Sequence, residues 1–208
     1  MRTFIRGLGL AAMIAATTSC GDVARQGSSA VYLVIDNLAG QRGAATPGPA
    51  SNPLISDVIT NVTTPAPCSQ TSPCPTVFGD SGTVTLRAPL KDIGATTGLA
   101  PTTNNEVTIN RLHVDYSRAD GRNTPGVDVP FGFDSAITGT VPAAGTLQLG
   151  FELVRNVAKQ EAPLIQLRTS NNFISAIATI TFYGTDRVGN NIQVTGQMQI
   201  EFGNFGDQ

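Results

Sequence analysis

Two runs near the end of the chain alternate regularly between apolar and polar residues. In the second run, the even positions of 192–202 carry Ile192, Val194, Gly196, Met198, Ile200 and Phe202, and the odd positions carry Gln, Thr or Glu. In the first run, the even positions of 173–183 carry Ile174, Ala176, Ala178, Ile180 and Phe182. A period of two is that of a strand with one buried face. Because the turn sequence TDRVGN separates the runs, they predict a β-hairpin.

Several earlier segments also have strand character. They are residues 30–38, 82–90, 105–118, 127–133 and 145–154. Residues 30–38 are apolar on both parities through Ile35, which predicts a strand covered on both faces. In residues 127–133, the pattern places Val127, Val129, Phe131 and Phe133 inward. Residues 54–62 fit a strand or a short helix equally well.

The apolar parity reverses inside the segment 105–118. Its apolar residues are odd-numbered up to Ile109 and even-numbered from Leu112 onward. One extra residue near Asn110 and Arg111 reconciles the two halves. The reversal therefore predicts a β-bulge at that point.

The composition agrees with a chain built from strands. Charged residues make up 13% of the sequence, against about 25% in an average soluble domain. Glu and Lys are too sparse for long solvent-facing helices, whereas Thr, Val, Ile and Phe suit strands. About eight strands separated by turns predict an all-β fold, an antiparallel β-sandwich. The net charge of −2 and the lack of a basic patch argue against nucleic acid as a partner.

The closing hairpin resembles the last two strands of bacterial immunoglobulin-like domains. In that family an aromatic–Gly pair leads into an Asp-x-x-Gly-Asn turn, and Tyr183, Gly184 and the run from Asp186 to Asn190 follow the same order. The resemblance implies an Ig-like sandwich. The chain has no Trp, so the core Trp of antibody domains is absent. Another type of sandwich or a jelly roll is the alternative.

The first residues have the plan of an export signal. Arg2 and Arg6 are followed by an uncharged apolar run at 7–16 and by small residues at 17–19. The run is too short for a transmembrane helix, which needs about 20 apolar residues. Residues 1–19 are therefore predicted to be a signal peptide.

The end of this leader resembles the lipobox of bacterial lipoproteins. Thr18 and Ser19 are the small residues before Cys20, and Thr17 stands where that class prefers Leu. The resemblance implies cleavage before Cys20, lipidation of its thiol and, since Gly21 follows, sorting to the outer membrane. Residues 20–29 then form the lipidated Cys and a short tether, and residues 30–208 form one β-sandwich domain. The alternative is an ordinary cleaved signal that leaves Cys20 as a free thiol.

The other two cysteines lie six residues apart in a Pro/Ser/Thr-rich loop. If Cys20 carries lipid, Cys68 and Cys74 remain as a pair, which predicts a disulfide. Free thiols and a metal site are the alternatives, although the loop has no second Cys pair and no nearby His.

Candidate chemistry is sparse. His113, the single histidine, lies on the outward parity with Arg111 and Asp115, where it is either a base oriented by Asp115 or part of a solvated face. Asp120, Asn123 and Asp128 are weak candidates for calcium, and turn formation explains the same residue types. No catalytic site, phosphate loop or zinc motif is identifiable, and no cofactor is expected.

These observations predict a lipid-anchored cell-envelope protein that acts as a binding or structural module for an envelope protein or glycan. One alternative is an enzyme, such as an envelope-polymer hydrolase whose site is built from loops 41–53 and 121–126. Another is a subunit of a larger envelope assembly that pairs through its edge strands.

Overall fold

The computed structural model describes residues 28–91 and 100–206. The predicted signal peptide, Cys20 and most of the tether lie outside these residues. Within the described part, no helix is long and apolar enough to cross a membrane. The strands there are β1 (Val34–Gln41), β2 (Leu54–Asp57), β3 (Thr60–Val62), β4 (Cys74–Thr76), β5 (Asp80–Arg87), β6 (Val107–Ser117), β7 (Phe133–Val141), β8 (Thr146–Val154), β9 (Ile174–Asp186) and β10 (Asn191–Gly203). Short 3₁₀ helices cover Thr103–Asn105, Val157–Gln160 and Leu164–Thr169.

The strands form two main sheets with the apolar core between them. One sheet has three strands in the order β1-β5-β8, and the other has five in the order β2-β10-β9-β6-β7. Neighbours are antiparallel except β2, which runs parallel to β10. β3 and β4 form a separate two-stranded ladder. The all-β, sandwich-like prediction is confirmed, and the Ig-like subtype stays a prediction.

The predicted hairpin has the longest uninterrupted ladder of the five-stranded sheet. β9 and β10 pair continuously from Thr185↔Asn191 to Ile174↔Phe202. In the turn, Asp186 Oδ1 accepts the backbone N–H groups of Val188 at 3.0 Å and Asn190 at 2.8 Å. Burial opposes ionisation of Asp186, but the hydrogen bonds from Asn190, Ser29 and Val188 together outweigh it and lower the pKa of the carboxyl.

The predicted bulge is also confirmed. The register of β6 shifts between Ile109 and Arg111 against both of its neighbours, β7 and β9. As a result, Ile109 and Leu112 are both buried although their parities differ. The extra residue lets one long strand keep its apolar side chains on the core side throughout.

The strand predicted at residues 127–133 is wrong. Residues 126–128 form a turn in which Thr124 O accepts the N–H groups of Val127 and Asp128, and the next strand begins only at Phe133. Val129 and Phe133 are buried as predicted, but Val127 is 66% exposed and Phe131 50% exposed, so the predicted inward face is only half present. The apolar alternation of this segment thus overlaps a compact turn and not a strand. The strand that follows it, β7, was not predicted.

The first strand is shorter and more exposed than expected. Residues 30–33 precede β1, and Tyr32 is 56% exposed whereas Val31 and Leu33 are buried. The prediction that this segment is buried on both faces is therefore wrong. Residues 54–62, for which helix and strand were both open, divide into β2 and β3.

Aromatic contacts join the two sheets through the core. The rings of Phe151 in β8 and Phe182 in β9 meet edge-to-face at 5.4 Å between centroids. Tyr116 in β6 packs edge-to-face on Phe202 and donates its hydroxyl to Leu153 O at 2.6 Å. Burial raises the pKa of Tyr116, so its hydroxyl stays protonated and remains a donor.

We expect Phe182→Ala to lower the free energy of unfolding by about 3–5 kcal/mol, because it leaves a cavity between the sheets. Phe173→Ala is the control: Phe173 is 61% exposed, and its loss should change stability by no more than about 0.5 kcal/mol. Urea unfolding followed by circular dichroism measures both values. Equal losses in the two variants would contradict this packing.

Candidate functional site

The outer surface of the five-stranded sheet carries mostly polar side chains. We call one part of this surface the polar face: Arg111, His113, Asp134, Thr179, Thr181, Tyr183, Gln193, Thr195, Gln197 and Gln199. These residues lie side by side because ladder partners share a face, so Arg111 aligns with Tyr183 and Tyr183 with Gln193. The same alternation that sends apolar residues into the core leaves hydroxyl and amide groups outside.

A charged corner lies on the β6–β7 side of the polar face. Arg111 stacks its guanidinium over the Tyr183 ring at 3.9 Å and donates to Asp134 at 2.9 Å. His113 Nδ1 is 3.3 Å from the same carboxylate. The partner of His113 is thus Asp134 across the ladder, whereas Asp115 accepts the N–H of Tyr116. The suggestion that Asp115 orients His113 is therefore wrong.

Hydrogen bonds between side chains hold most of the remaining polar groups of β9 and β10. The hydroxyls of Thr181 and Thr195 are 3.0 Å apart, and Gln197 donates its amide to Thr179 at 3.2 Å. Gln199 donates to Ser175 at 3.3 Å. Each pair spans β9 and β10, so the donors and acceptors have defined directions before any ligand arrives.

The three weak calcium candidates have turn-forming partners. Asp120 accepts hydrogen bonds from the guanidinium groups of Arg118 and Arg122. Asn123 accepts the N–H of Arg118 at 2.6 Å, and Asp128 accepts that of Thr124 at 3.2 Å. The Arg118 and Arg122 hydrogen bonds lower the pKa of Asp120 to about 2. In the described part of the chain, no cluster of three acidic, His or Cys residues could hold a metal ion.

The predicted disulfide is confirmed. Cys68 and Cys74 are bonded, with their Cα atoms 5.4 Å apart. Cys74 begins β4, and Ser69 and Ser72 exchange backbone hydrogen bonds inside the closed loop. The bridge therefore constrains one loop beside the β3–β4 ladder.

A buried ionic cluster was not predicted. Lys159, in the 3₁₀ helix between β8 and β9, is completely buried, and its Nζ donates to Asp80 Oδ1 at 2.8 Å and to Asp57 O at 2.9 Å. Asp80 also accepts Ser56 Oγ at 2.5 Å and the N–H of Gly43 at 2.8 Å. These groups come from segments far apart in sequence, so no local pattern could have assembled them.

The loop-built hydrolase alternative needs opposed carboxylates in a cleft. A pocket of about 360 Å³ lies beside the start of the described chain. It is lined by Ser29, Ala30, Leu90, Lys91, Ala100, Thr102 and Asn105. This lining is mostly apolar and includes no carboxylate side chain.

No family model matches the chain, and no curated protein or solved structure resembles it at a significant level.

We expect Asp120 to titrate with a pKa of about 2, and Arg118→Met to raise that value toward the ordinary 3.8. Because the folded pKa is below the unfolded one, the favourable interaction is present above pH 3.8 and is lost as the pH falls through about 2. NMR titration of the Asp120 carboxyl carbon measures this. Arg87→Met, which alters a different exposed ion pair, should leave the value unchanged. An ordinary pKa in the unmodified protein would contradict the turn geometry.

Proposed function

We propose that this protein is an exported lipoprotein, held at the outer membrane through lipid on Cys20, whose Ig-like sandwich binds a neutral glycan with its polar face. The anchor and the location rest on the leader sequence. The ligand class rests on the chemistry of the polar face. The observation that carries the binding proposal is the row of paired Thr and Gln side chains beside the Arg111–Tyr183 stack.

The anchor is supported by physical arguments about lipid and chain length. Each buried CH₂ contributes about 0.8 kcal/mol, and one acyl chain alone binds only marginally, so the several chains of a lipoprotein give a durable attachment. A tether of residues 20–29 spans at most about 30 Å at roughly 3.3 Å per residue. The Cys68–Cys74 disulfide suits the oxidising compartments outside the cytoplasm. The sandwich would therefore lie close to the membrane surface.

The composition of the polar face favours a glycan over a protein partner. Protein interfaces have a buried centre enriched in aromatic and other apolar side chains. Here the one aromatic ring, Tyr183, is partly buried and covered by Arg111. Its neighbours Gln193, Thr195 and Gln197 offer amide and hydroxyl groups that match the hydroxyls of a sugar chain.

The charge of the face favours a neutral glycan. Its one guanidinium, on Arg111, is already paired with Asp134. The whole chain has a net charge of −2, which gives no attraction for an anionic polymer. Recognition would then depend on hydrogen bonds, and the affinity would change little with salt.

We expect Gln193→Ala and Gln197→Ala each to weaken binding to a neutral oligosaccharide about fivefold, because each removes about 1 kcal/mol of hydrogen bonding. The matched control is Gln148→Ala, an exposed glutamine of β8 in the other sheet. A neutral-glycan array identifies the ligand, and titration calorimetry gives the dissociation constants. Equal weakening by Gln148→Ala, or no neutral glycan bound by the unmodified protein, would contradict the proposal.

We expect Cys20→Ser to abolish incorporation of labelled palmitate and to move the protein from the detergent phase to the aqueous phase. The control, Cys68→Ser with Cys74→Ser, removes the disulfide but leaves Cys20, so it should still be labelled. Labelling of the Cys20→Ser variant would show that the lipid attachment point lies elsewhere.

A further inference from the structure

The choice of lysine at position 159 is unusual for this chain. Lys91 and Lys159 are its only lysines among 13 basic residues. Exposed ion pairs are formed by Arg87, Arg111 and Arg187, among other arginines, whereas the fully buried pair uses a lysine. Arg offers more hydrogen bonds for a buried ion pair, but only the lysine side chain carries a potential nucleophile.

The Lys159 amine is held against one electrophile, the Asp80 carboxyl group. Its Nζ lies 2.8 Å from Asp80 Oδ1, and both side chains have no solvent exposure. The Asp80 carboxyl cannot turn away, because Gly43 N–H holds Oδ1 and Ser56 Oγ holds Oδ2. Both donors would also stabilise negative charge on the carboxyl oxygens during attack at the carbon. The site therefore supplies proximity, orientation and exclusion of water.

The protons required for condensation are already in the pair. Burial lowers the pKa of Lys159, although the Asp80 carboxylate beside it raises it. Transfer of one proton from the ammonium to the carboxylate gives a neutral amine and a neutral acid, and burial favours the uncharged amine. Asp57 is a buried neighbour of the amine: its backbone oxygen accepts a hydrogen bond from Nζ at 2.9 Å, and its negative charge favours the charged amine.

We propose that Lys159 and Asp80 condense to an intramolecular isopeptide bond, with Asp57 as the proton carrier. After one proton passes from the ammonium to the Asp80 carboxylate, the Nζ lone pair attacks Cγ and forms the N–C bond. Asp57 takes a second proton from nitrogen and returns it to the departing hydroxyl, and the C–O bond breaks. The products are one amide and one water, so atoms and charge balance and no oxidant or co-reactant is needed.

The bond would connect two parts of the sandwich that are 79 residues apart. Asp80 starts β5, and Lys159 lies between β8 and β9. The amide would therefore join the three-stranded sheet covalently to the segment that leads into the five-stranded sheet.

Tryptic digestion of the full-length, denatured and reduced protein tests the proposal. We expect fragment 43–87 to remain joined to fragment 156–168, with a mass one water below their sum and with no cleavage after Lys159. Fragmentation of the joined peptide should place the bond on Asp80. A free fragment 43–87, together with normal cleavage after Lys159, would show an ion pair only and overturn the proposal.

Variants separate the roles of the three residues. Lys159→Arg keeps the charge but has no amine nucleophile, so it should give no joined peptide, while Lys91→Arg should give as much as the unmodified chain. Asp80→Asn should yield the identical joined peptide, since ammonia leaves in place of water. Asp57→Asn should slow joining roughly a hundredfold after refolding. Joining in Lys159→Arg would overturn the assignment, and an unchanged rate in Asp57→Asn would overturn the role of Asp57.

Discussion

The buried contact between Lys159 and Asp80 is where the separate parts of the sandwich meet. The carboxylate begins β5, and its other donors, Ser56 and Gly43, belong to β2 and to the segment after β1. The ammonium comes from the connection between β8 and β9 and also holds the carbonyl of Asp57. Four chain segments and both sheets thus meet at one pair of side chains, which are oppositely charged before the proposed condensation. Loss of one partner from such a pair typically costs about 3–5 kcal/mol, because the other charge is left buried.

Strict alternation explains both surfaces of the five-stranded sheet. Each residue of β9 or β10 that points inward, such as Phe182 or Ile200, forces its neighbours outward. Because those neighbours are Thr and Gln with few charges, the outer surface becomes an ordered array of hydroxyl and amide groups. The core and the polar face are therefore two consequences of one pattern.

Local sequence patterns predicted the features that depend on neighbouring residues, such as the bulge and the turn. They did not predict contacts between segments that are far apart in the chain. The bulge between Ile109 and Arg111 and the turn at Asp186 were visible because parity and turn chemistry are properties of short stretches. The pairing of His113 with Asp134 was not visible, since it depends on which strand lies beside β6. The buried lysine was missed for the same reason. Residues 127–133 misled because apolar alternation also occurs outside strands. Val129 and Phe133 are buried there, whereas Val127 and Phe131 remain exposed.

The position of β10 has a consequence for the order of events during synthesis. The last strand lies inside its sheet, between β9 and the early strand β2, which runs parallel to it. Strand β2 therefore has no partner in that sheet until residues 191–203 have left the ribosome. Long-range parallel pairing of this kind is intrinsically slow to form. A chain stopped before β10 would leave backbone N–H and C=O groups of both β2 and β9 unpaired, so this sheet can form only after residues 191–203 have been made.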